Sequence, residues 1–420
     1  MVAAPQLQSH PLTSTYDADI AIVGAGIVGA TLACALKDSG LKVVLIEAKP
    51  PDVAASKGQS YALTLMSGKI FDSLGVWDEI LPQIVTFDRI HLSDCNEWVV
   101  NFTPEDLGGD HLGYVGEHGV ILRALQRQIN QSVQIEWICP AEVERVAYFP
   151  DCARVTVTRD GRSEQIKTRL VVATDGARSP IRESAKINTQ GWRYWQSCVA
   201  TTIKTEKPHH NVAFERFWHT GPMGVLPLPG NRCQVVWTAP HEEARILQQL
   251  DEQEFLRRLE FRTGGMLGRL ELAGPRFVFP VQLMQGDRYV DRRLALAGDA
   301  AHCCHPVGGQ GLNLGIRDAA ALAQVLLAAD EENEDIGTVE ILQRYQRWRK
   351  PENWLILGFT DLLDRMFSTS WFPVVFVRRF GLVMLQRLRP LRYLSLRLMT
   401  GLLGRTPSRV SAVGDRANTV

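Results

Sequence analysis

The sequence lacks net charge: 46 Lys and Arg balance 46 Asp and Glu over 420 residues. Nothing in the total pulls the chain towards nucleic acid or another polyanion, so charge has to be read locally. The eight cysteines, Cys34, Cys95, Cys139, Cys152, Cys198, Cys233, Cys303 and Cys304, include no C-x-x-C pair, and Cys34 sits in the apolar run TLACAL. This favours free buried thiols in a reducing compartment over a disulfide scaffold. Long apolar runs are missing too. Trp371 to Val377 is cut off by Arg378 and Arg379, well short of the ~18 to 20 residues of a spanning helix. The opening MVAAPQLQSHPLTSTYDAD has no basic n-region and no apolar h-region. No secretory signal and a cytoplasmic chain are therefore expected. No internal repeat is visible.

A 45% hydrophobic content excludes wholesale disorder, and at ~150 residues per domain the length allows about three units. From Asp19 the chain reads IAIVGAGIVGATLACALKDSGLKVVLIE. A β-branched strand, a Gly-rich turn, an apolar-faced helix and a second strand make a βαβ unit. Cys198 to Thr238 is strand-like and broken by Gly-Pro, Pro-Gly and Gly-Asn, which suits an antiparallel sheet. A strand, Gly-rich loop and long helix return at RRLALAGDAAHCCHPVGGQGLNLGIRDAAALAQVLLAA, so the first domain is expected to be discontinuous. The fold class is α/β (α+β): a Rossmann-like domain interleaved with an antiparallel-sheet domain, followed by C-terminal helices.

Three Gly-rich elements carry the chemistry. Gly24-Ala25-Gly26-Ile27-Val28-Gly29 opens a helix, and Glu47 follows 18 residues after Gly29. The glycines permit close approach of a pyrophosphate to the helix N-terminus, and Glu47 can accept from a ribose hydroxyl. The motif alone does not separate FAD from NAD. The second element, Leu170 to Arg182, ends a strand with Asp175-Gly176 and two arginines, Arg178 and Arg182, and reads in isolation as a surface turn with solvated charges. The third is Gly298-Asp299-Ala300-Ala301-His302, whose carboxylate can accept from polyol hydroxyls; farther on, Gly311-Leu312-Asn313 opens a helix whose amides can face a developing anion.

Together these elements resemble the FAD-dependent aromatic hydroxylases of the p-hydroxybenzoate hydroxylase fold, and GDAAHCCHPVGGQGLNLGIRDA is similar to the ubiquinone-biosynthesis monooxygenase branch. The likeness extends through ALTLMSGKIFDSLGVWDEI, HGVILRAL and GPMGVLPLPG, over roughly residues 18 to 350. It implies a monooxygenase that uses FAD, NADPH or NADH, and O2 to hydroxylate a small hydrophobic aromatic substrate, a prenylated phenol or quinol of quinone biosynthesis. Gly24, Gly26, Gly29 and Glu47 would hold the ADP half of FAD, Arg123 would contact the cofactor, and Gly298 and Asp299 would meet the ribityl chain. Pro306 and the turn Gly309, Gly311, Leu312 and Asn313 would line the isoalloxazine ring. Asp175 would serve both FAD and the nicotinamide donor. One departure stands out: Gln59 occupies a position where many members carry Arg, with Lys57 as a nearby substitute. The implied FAD-binding domain spans 17–75, 112–190 and 280–335, the substrate domain 76–111 and 191–279, and the helical section 336–405, between flexible tails at 1–16 and 406–420.

Alternatives remain beside this reading. The same elements suit a flavin-dependent reductase of the same fold, or a catalytically silent flavoprotein subunit of a biosynthetic complex. His302-Cys303-Cys304-His305 holds metal-ligand types, but consecutive residues do not converge on one ion, so no metal is expected. His209-His210 reads as a solvated loop. Phe214, Phe217, Trp218 and Trp237 suit either a substrate pocket or simple core packing. Residues 341–410 hold 13 Lys and Arg against 3 Asp and Glu, leaving 33 against 43 elsewhere. Leu388, Leu391, Leu394, Leu398 and Leu402 form an apolar helical stripe there. It suits packing on the protein's own body, peripheral contact with a membrane, or a partner in a biosynthetic complex. No nucleic-acid partner is expected.

Overall fold

The computed structural model describes residues 16–95, 97–408 and 410. The flexible tails expected at 1–16 and 406–420 fall largely outside the described residues.

Strand Ala18–Val23 pairs in parallel with Val43–Ile46 on one side and with Arg162–Ala173 on the other. Leu294–Leu296 and Ile135–Ile138 extend the parallel sheet outwards. All four residues of Val43–Ile46 are buried, which is why this strand reads as an unbroken apolar run and not as an alternating one. Helix Ile27–Leu36 leaves almost no residue exposed; it packs against the long helix Gln310–Glu331 and against helix His118–Asn130. The third Gly-rich element thus returns, 270 residues after the first, to the same body.

The second sheet has nine strands. Its spine, Thr189–Thr205, pairs antiparallel with Arg232–Pro240 and with Phe277–Gly286. Strands Arg89–Asp94 and Glu97–Phe102 join it through a parallel pairing of Val212–Phe217 with Arg89–Asp94. One face of this sheet packs on helices His241–Gln249 and Glu252–Thr263, where Trp237 and Phe255 are buried. The other face looks towards the cofactor-type loops. A small sheet of Ser60–Leu63, Val85–Phe87 and Gly113–Glu117 touches both bodies.

Helices Val339–Phe367, Phe372–Arg387 and Arg389–Met399 close the structure. They pack on the second sheet, with Phe217 stacked on Phe367 at 3.8 Å between ring centroids. Arg378 pins them there. It is buried against a buried Asp94, with Nε donating to Oδ2 at 2.8 Å, and also donates to the carbonyl of Thr369 at 2.8 Å. Part of the basic excess of this section is paired in this way with acids elsewhere in the chain: Arg349 meets Asp318, Arg344 meets Glu334 and Arg392 meets Asp106.

Several expectations need correction. His209 is not solvated: it is buried, and its Nε2 lies 3.0 Å from the carbonyl oxygen of Leu228. The leucine stripe does not face one way, since Leu388, Leu391 and Leu394 are exposed whereas Leu398 lines an internal cavity. One helix, Val307–Glu331, has the length and mean hydropathy of a membrane span, but 72% of its apolar window is buried inside the fold, as for a core helix.

Candidate active site

A cavity of about 1090 Å³ runs between the two bodies. At one end it is bounded by Gly26, Val28, Asp299 and the loop Pro306–Leu312. At the other it becomes an apolar chamber, floored by Leu92, Phe217, Leu226 and Val236 of the second sheet and roofed by Leu363, Leu385 and Met399 of the C-terminal helices.

The dinucleotide turn is built by close approach. Gly24 has φ +98°, and a Cβ there would stand 2.6 Å from the carbonyl oxygen of Thr174, so only glycine fits. Gly29 lies tighter still, with an imagined Cβ 2.0 Å from the carbonyl oxygen of Gly24. Around Gly26, by contrast, nothing lies within 4 Å of that position, and this open side faces the cavity. The first-turn amides of helix Ile27–Leu36 therefore point at free space, as an anion site requires. Glu47 holds the turn by accepting from the N–H of Ala25 at 2.8 Å through Oε2.

The Gly-Asp element forms a short 3₁₀ turn, Gly298–Ala300, with Gly298 at φ +61° against Val28. Asp299 is exposed only towards the cavity it lines, and its carboxylate accepts no hydrogen bond among the described residues. Burial raises it above the ordinary carboxylate range, with His302 opposing. Beneath the turn lies a group that the sequence reading missed. Asp318, fully buried on the long helix, accepts from the N–H of Gly298 at 3.1 Å, bonds His302 Nε2 at 2.6 Å and accepts from Arg349 Nε at 2.8 Å.

Around the ring-facing loop, Gly308 and Gly309 take left-handed φ values of +69° and +62°, which allows the chain to fold back and begin helix Gln310–Glu331. Gln310 ties the loop to the C-terminal helices by donating to the carbonyl of Met399 at 3.0 Å. Gly311 and Leu312 lie on the cavity wall, as do Pro306 and Gly309. Asn313 does not: its amide is spent on Thr64 N, Ser67 Oγ, Ala62 O and Gly309 O, all within 2.8 Å, so it clamps the loop to strand Ser60–Leu63.

Asp175 approaches the start of the short helix Pro180–Ser184, whose N-cap is Ser179; its Oδ2 lies 3.4 Å from the N–H of Ile181 while its buried Oδ1 finds no partner among the described residues. Burial raises this carboxyl, and hydrogen bonds and Arg182 oppose the rise. The turn is solvated only in part: Arg178 is exposed, whereas Arg182 is buried and donates to the carbonyls of Ala300 and Ala177. Arg123 is not on the large cavity. It borders a separate pocket of about 250 Å³ with Pro51, Asp52, Gln126 and Trp137. Gln59, in the place of the arginine, accepts from Tyr61 Oη at 3.0 Å, and that hydroxyl also lies 3.3 Å from His118 Nδ1. Burial and the nearby Lys57 charge push His118 down to about 4, so it is neutral at physiological pH. Lys57 itself lines the cavity.

Of the residues with metal-ligand chemistry, His302 is committed to Asp318, while His305 accepts from the N–H of Val307 through Nδ1 at 3.2 Å. Of the four aromatics, Phe214 and Phe217 line the cavity, whereas Trp237 is core on the opposite face and Trp218 packs under Arg262.

FAD suits these residues on observations internal to the structure. The open side of Gly26 faces the cavity, a deep carboxylate without a protein partner looks into it, and a glycine-rich helix start lies farther along the same wall. The comparisons agree. The family described as FAD binding domain matches residues 17–360. An uncharacterized protein of Synechocystis is 54% identical, over 93% of this chain and 94% of its own. The ubiquinone hydroxylase UbiL of Rhodospirillum rubrum is 36% identical, covering 97% and 96%. The p-nitrophenol 4-monooxygenase PnpA of Pseudomonas putida shares the fold, with a TM-score of 0.79 at 20% identity over 92% of this chain and 98% of its own. With its glycine turns, its cavity-facing Gly-Asp carboxylate and this match over most of its length, the chain belongs to the FAD-binding-domain family.

Proposed function

We propose that this protein is an FAD-dependent monooxygenase that hydroxylates the ring of a prenylated phenol or quinol in ubiquinone-type quinone biosynthesis. NADPH or NADH would be the electron donor and O2 the source of oxygen. The observation that carries this reading is the continuity of one cavity from the Gly26, Asp299 and Pro306–Leu312 wall into an apolar chamber between the second sheet and the C-terminal helices. FAD, when bound, supplies electron transfer and O2 activation.

The chain's own residues do the rest. Gly24, Gly26 and Gly29 shape the pyrophosphate turn, Glu47 orders it, and Asp299 is placed to accept from ribityl hydroxyls. Amides at the start of helix Gln310–Glu331 favour negative charge beside the ring. The leucine, phenylalanine and methionine walls keep water away from the reacting carbon. The exposed Arg178 on the cavity wall and Asp175, in the same turn, are the candidates for meeting the nicotinamide donor. Arg123 would approach the cofactor from the neighbouring pocket, beside His118 of the cavity wall.

The test is the purified yellow protein with NADPH or NADH and a prenylphenol. One O2 is expected to be consumed per product that has gained one oxygen, as read by mass spectrometry. Asp299→Ala is expected to lose flavin and hydroxylation together. A prenyl chain reduced with no oxygen gained would instead mark a reductase, and the absence of any turnover by flavin-loaded protein would mark a silent subunit.

Peripheral membrane contact through the C-terminal helices belongs to the same reading. On helix Phe372–Arg387, Phe372, Phe376 and Phe380 recur every fourth residue and are 77%, 63% and 56% exposed, beside an exposed Trp371. Such a face is expensive in water. Exposed Arg387 and Arg389 flank it, and the same helices roof the cavity, so a lipid-soluble substrate would enter beside the contact. Replacing Phe372 and Phe376 with serine is expected to lower binding to vesicles containing anionic lipid by about tenfold or more, since a fully buried Phe contributes about 1.5–3 kcal/mol. Unchanged vesicle partitioning of the flavin-loaded variant would exclude this contact.

A further inference from the structure

One acid on the cavity wall is used neither by the dinucleotide turn nor by the Gly-Asp loop. Glu215 lies on strand Val212–Phe217, in register with Leu92 on one side and Gly224 on the other. Strand alternation puts it on the same face as Ala213 and Phe217, while Arg216 points to the reverse face, where it reaches Met266. Gly224 makes room for it: a Cβ there would stand 3.7 Å from Glu215 Oε2. The backbone N–H of Gly308, in the loop that faces the ring of the cofactor, favours its ionised form. The group therefore sits where the apolar chamber meets the flavin side, the place at which a ring about to be hydroxylated has to lie.

Its surroundings are those of a proton acceptor. No charged side chain contributes to its ionisation, and burial raises its carboxyl to about 7, opposed only by the Gly308 N–H. A base whose affinity for protons matches the operating pH is the efficient kind. The other titratable groups on the cavity wall are Lys57, Tyr61, His118, Arg178, Asp299, Cys303 and Cys304, with Arg193 on the second sheet, and none of them is among the causes of the Glu215 shift. Asp364 acts with Glu215 on the Cys198 thiol. His305 lies 3.5 Å from Asp364 and off the cavity wall, and His91 is influenced by Arg216 on the reverse face.

We infer that Glu215 is the general base for the substrate's ring hydroxyl, accepting its hydrogen bond and then its proton as the ring takes up oxygen. The phenolic O–H bond breaks and an O–H bond forms on Glu215. The released electron pair moves through the ring to the carbon that gains oxygen, leaving a ring carbonyl. Loss of the proton on that carbon, and return of one proton from Glu215 to the carbonyl oxygen, restores the aromatic ring. The ring C–H is oxidised, O2 is reduced with two electrons from NADPH or NADH, and its second oxygen leaves as water. This role rests on the hydroxylase reading.

The test uses flavin-loaded protein, a 3-prenylphenol and its methyl ether, with binding followed by flavin fluorescence. At pH 8 the wild-type protein is expected to bind the phenol about tenfold more tightly than the ether, as for a hydrogen bond to a charged acceptor. Glu215→Ala is expected to bind the two equally. Glu215→Gln keeps an acceptor for Gly308 and for the phenol but takes up no proton. It is expected to retain the preference and the flavin while hydroxylating about 10²–10⁴-fold more slowly. Wild-type hydroxylation should rise with pH through about 7, because the base must be ionised, and this rise should be absent from Glu215→Gln. A phenol preference that survives in Glu215→Ala, or a Glu215→Gln rate and pH profile like wild type, would overturn the assignment whatever the product. A preference lost in Glu215→Ala with no oxygenated product from the wild type would overturn the hydroxylase reading, and the base role with it, while leaving the hydrogen bond in place.

Discussion

Asp318→Ala is expected to lower stability by about 3–5 kcal/mol, the range for removing one partner of a buried ion pair. The expected loss is large because the fully buried carboxylate has four partners. Oδ1 accepts from Arg349 Nε at 2.8 Å and Asn353 Nδ2 at 3.0 Å, while Oδ2 meets His302 Nε2 at 2.6 Å and the Gly298 N–H at 3.1 Å. Burial alone would push this carboxyl up. The His302 and Arg349 charges and the hydrogen bonds from His302 and Asn353 outweigh it and hold the group well below the usual carboxylate range. A depressed native value means that its contribution is complete above the unfolded value, about 4, and is lost as pH falls below it. Without the carboxylate, Arg349 keeps Glu352 and Asn353 but loses its fully buried counterion. Urea unfolding of the flavin-loaded protein measures the effect. Asp318→Ala should also release flavin, since the Gly298–Asp299 turn stands on this residue. A loss of less than about 1 kcal/mol with flavin retained would show that the cluster carries neither role. Arg349→Met added to Asp318→Ala should cost less than the two single changes together, because neither charge is then left alone.

Nothing local in the sequence marks Asp318. It lies in GIRDAAALAQVLLAA, where one charged pair interrupts an apolar helix, and its partner Arg349 is 31 residues away on another helix. The Gly-rich elements were legible because each is a contiguous spacing whose geometry follows from backbone sterics. So was the interleaving of the two bodies, since strand character changes from unbroken apolar runs to a Gly- and Pro-interrupted pattern. Glu215 was not legible: a single acid in VAFERF reads as the solvent-facing half of an alternating strand, and only the opposing Gly224 and the Gly308 N–H distinguish it. Apolar period likewise identified the C-terminal helices without assigning their sides. Leu398 and Met399 turn to the cavity, and Phe372 and Leu394 turn to solvent, because a stripe in sequence does not say which neighbour covers it. Arg378, counted from the sequence as part of a basic surface, proved to be the buried tie between those helices and Asp94.

Gly29→Ala and Gly26→Ala are expected to fail in different ways, and the difference separates folding from cofactor binding within one turn. At Gly29 a methyl group would stand 2.0 Å from the carbonyl oxygen of Gly24 and 2.6 Å from Thr174 Oγ1. The first of these is backbone and has no rotamer to yield. The helix must move off the strand, an overpacking cost of about 1–3 kcal/mol, and the turn that should meet a pyrophosphate moves with it. Gly29→Ala should therefore lose stability even without flavin. At Gly26 the backbone, φ −66° and ψ −179°, is open to any residue and nothing lies within 4 Å of the added carbon. The apoprotein of Gly26→Ala should melt like wild type. Yet that carbon would occupy the open side through which the amides of helix Ile27–Leu36 reach an anion, as the second glycine of such a turn must leave free. Flavin affinity is then expected to fall about a hundredfold, or about 2.8 kcal/mol, as read by titration of the apoprotein. Equal stability losses in the two apoproteins would place both glycines in packing alone. Full flavin affinity in Gly26→Ala would move the dinucleotide away from this helix, and with it the orientation that brings the ring to Asp299 and Pro306.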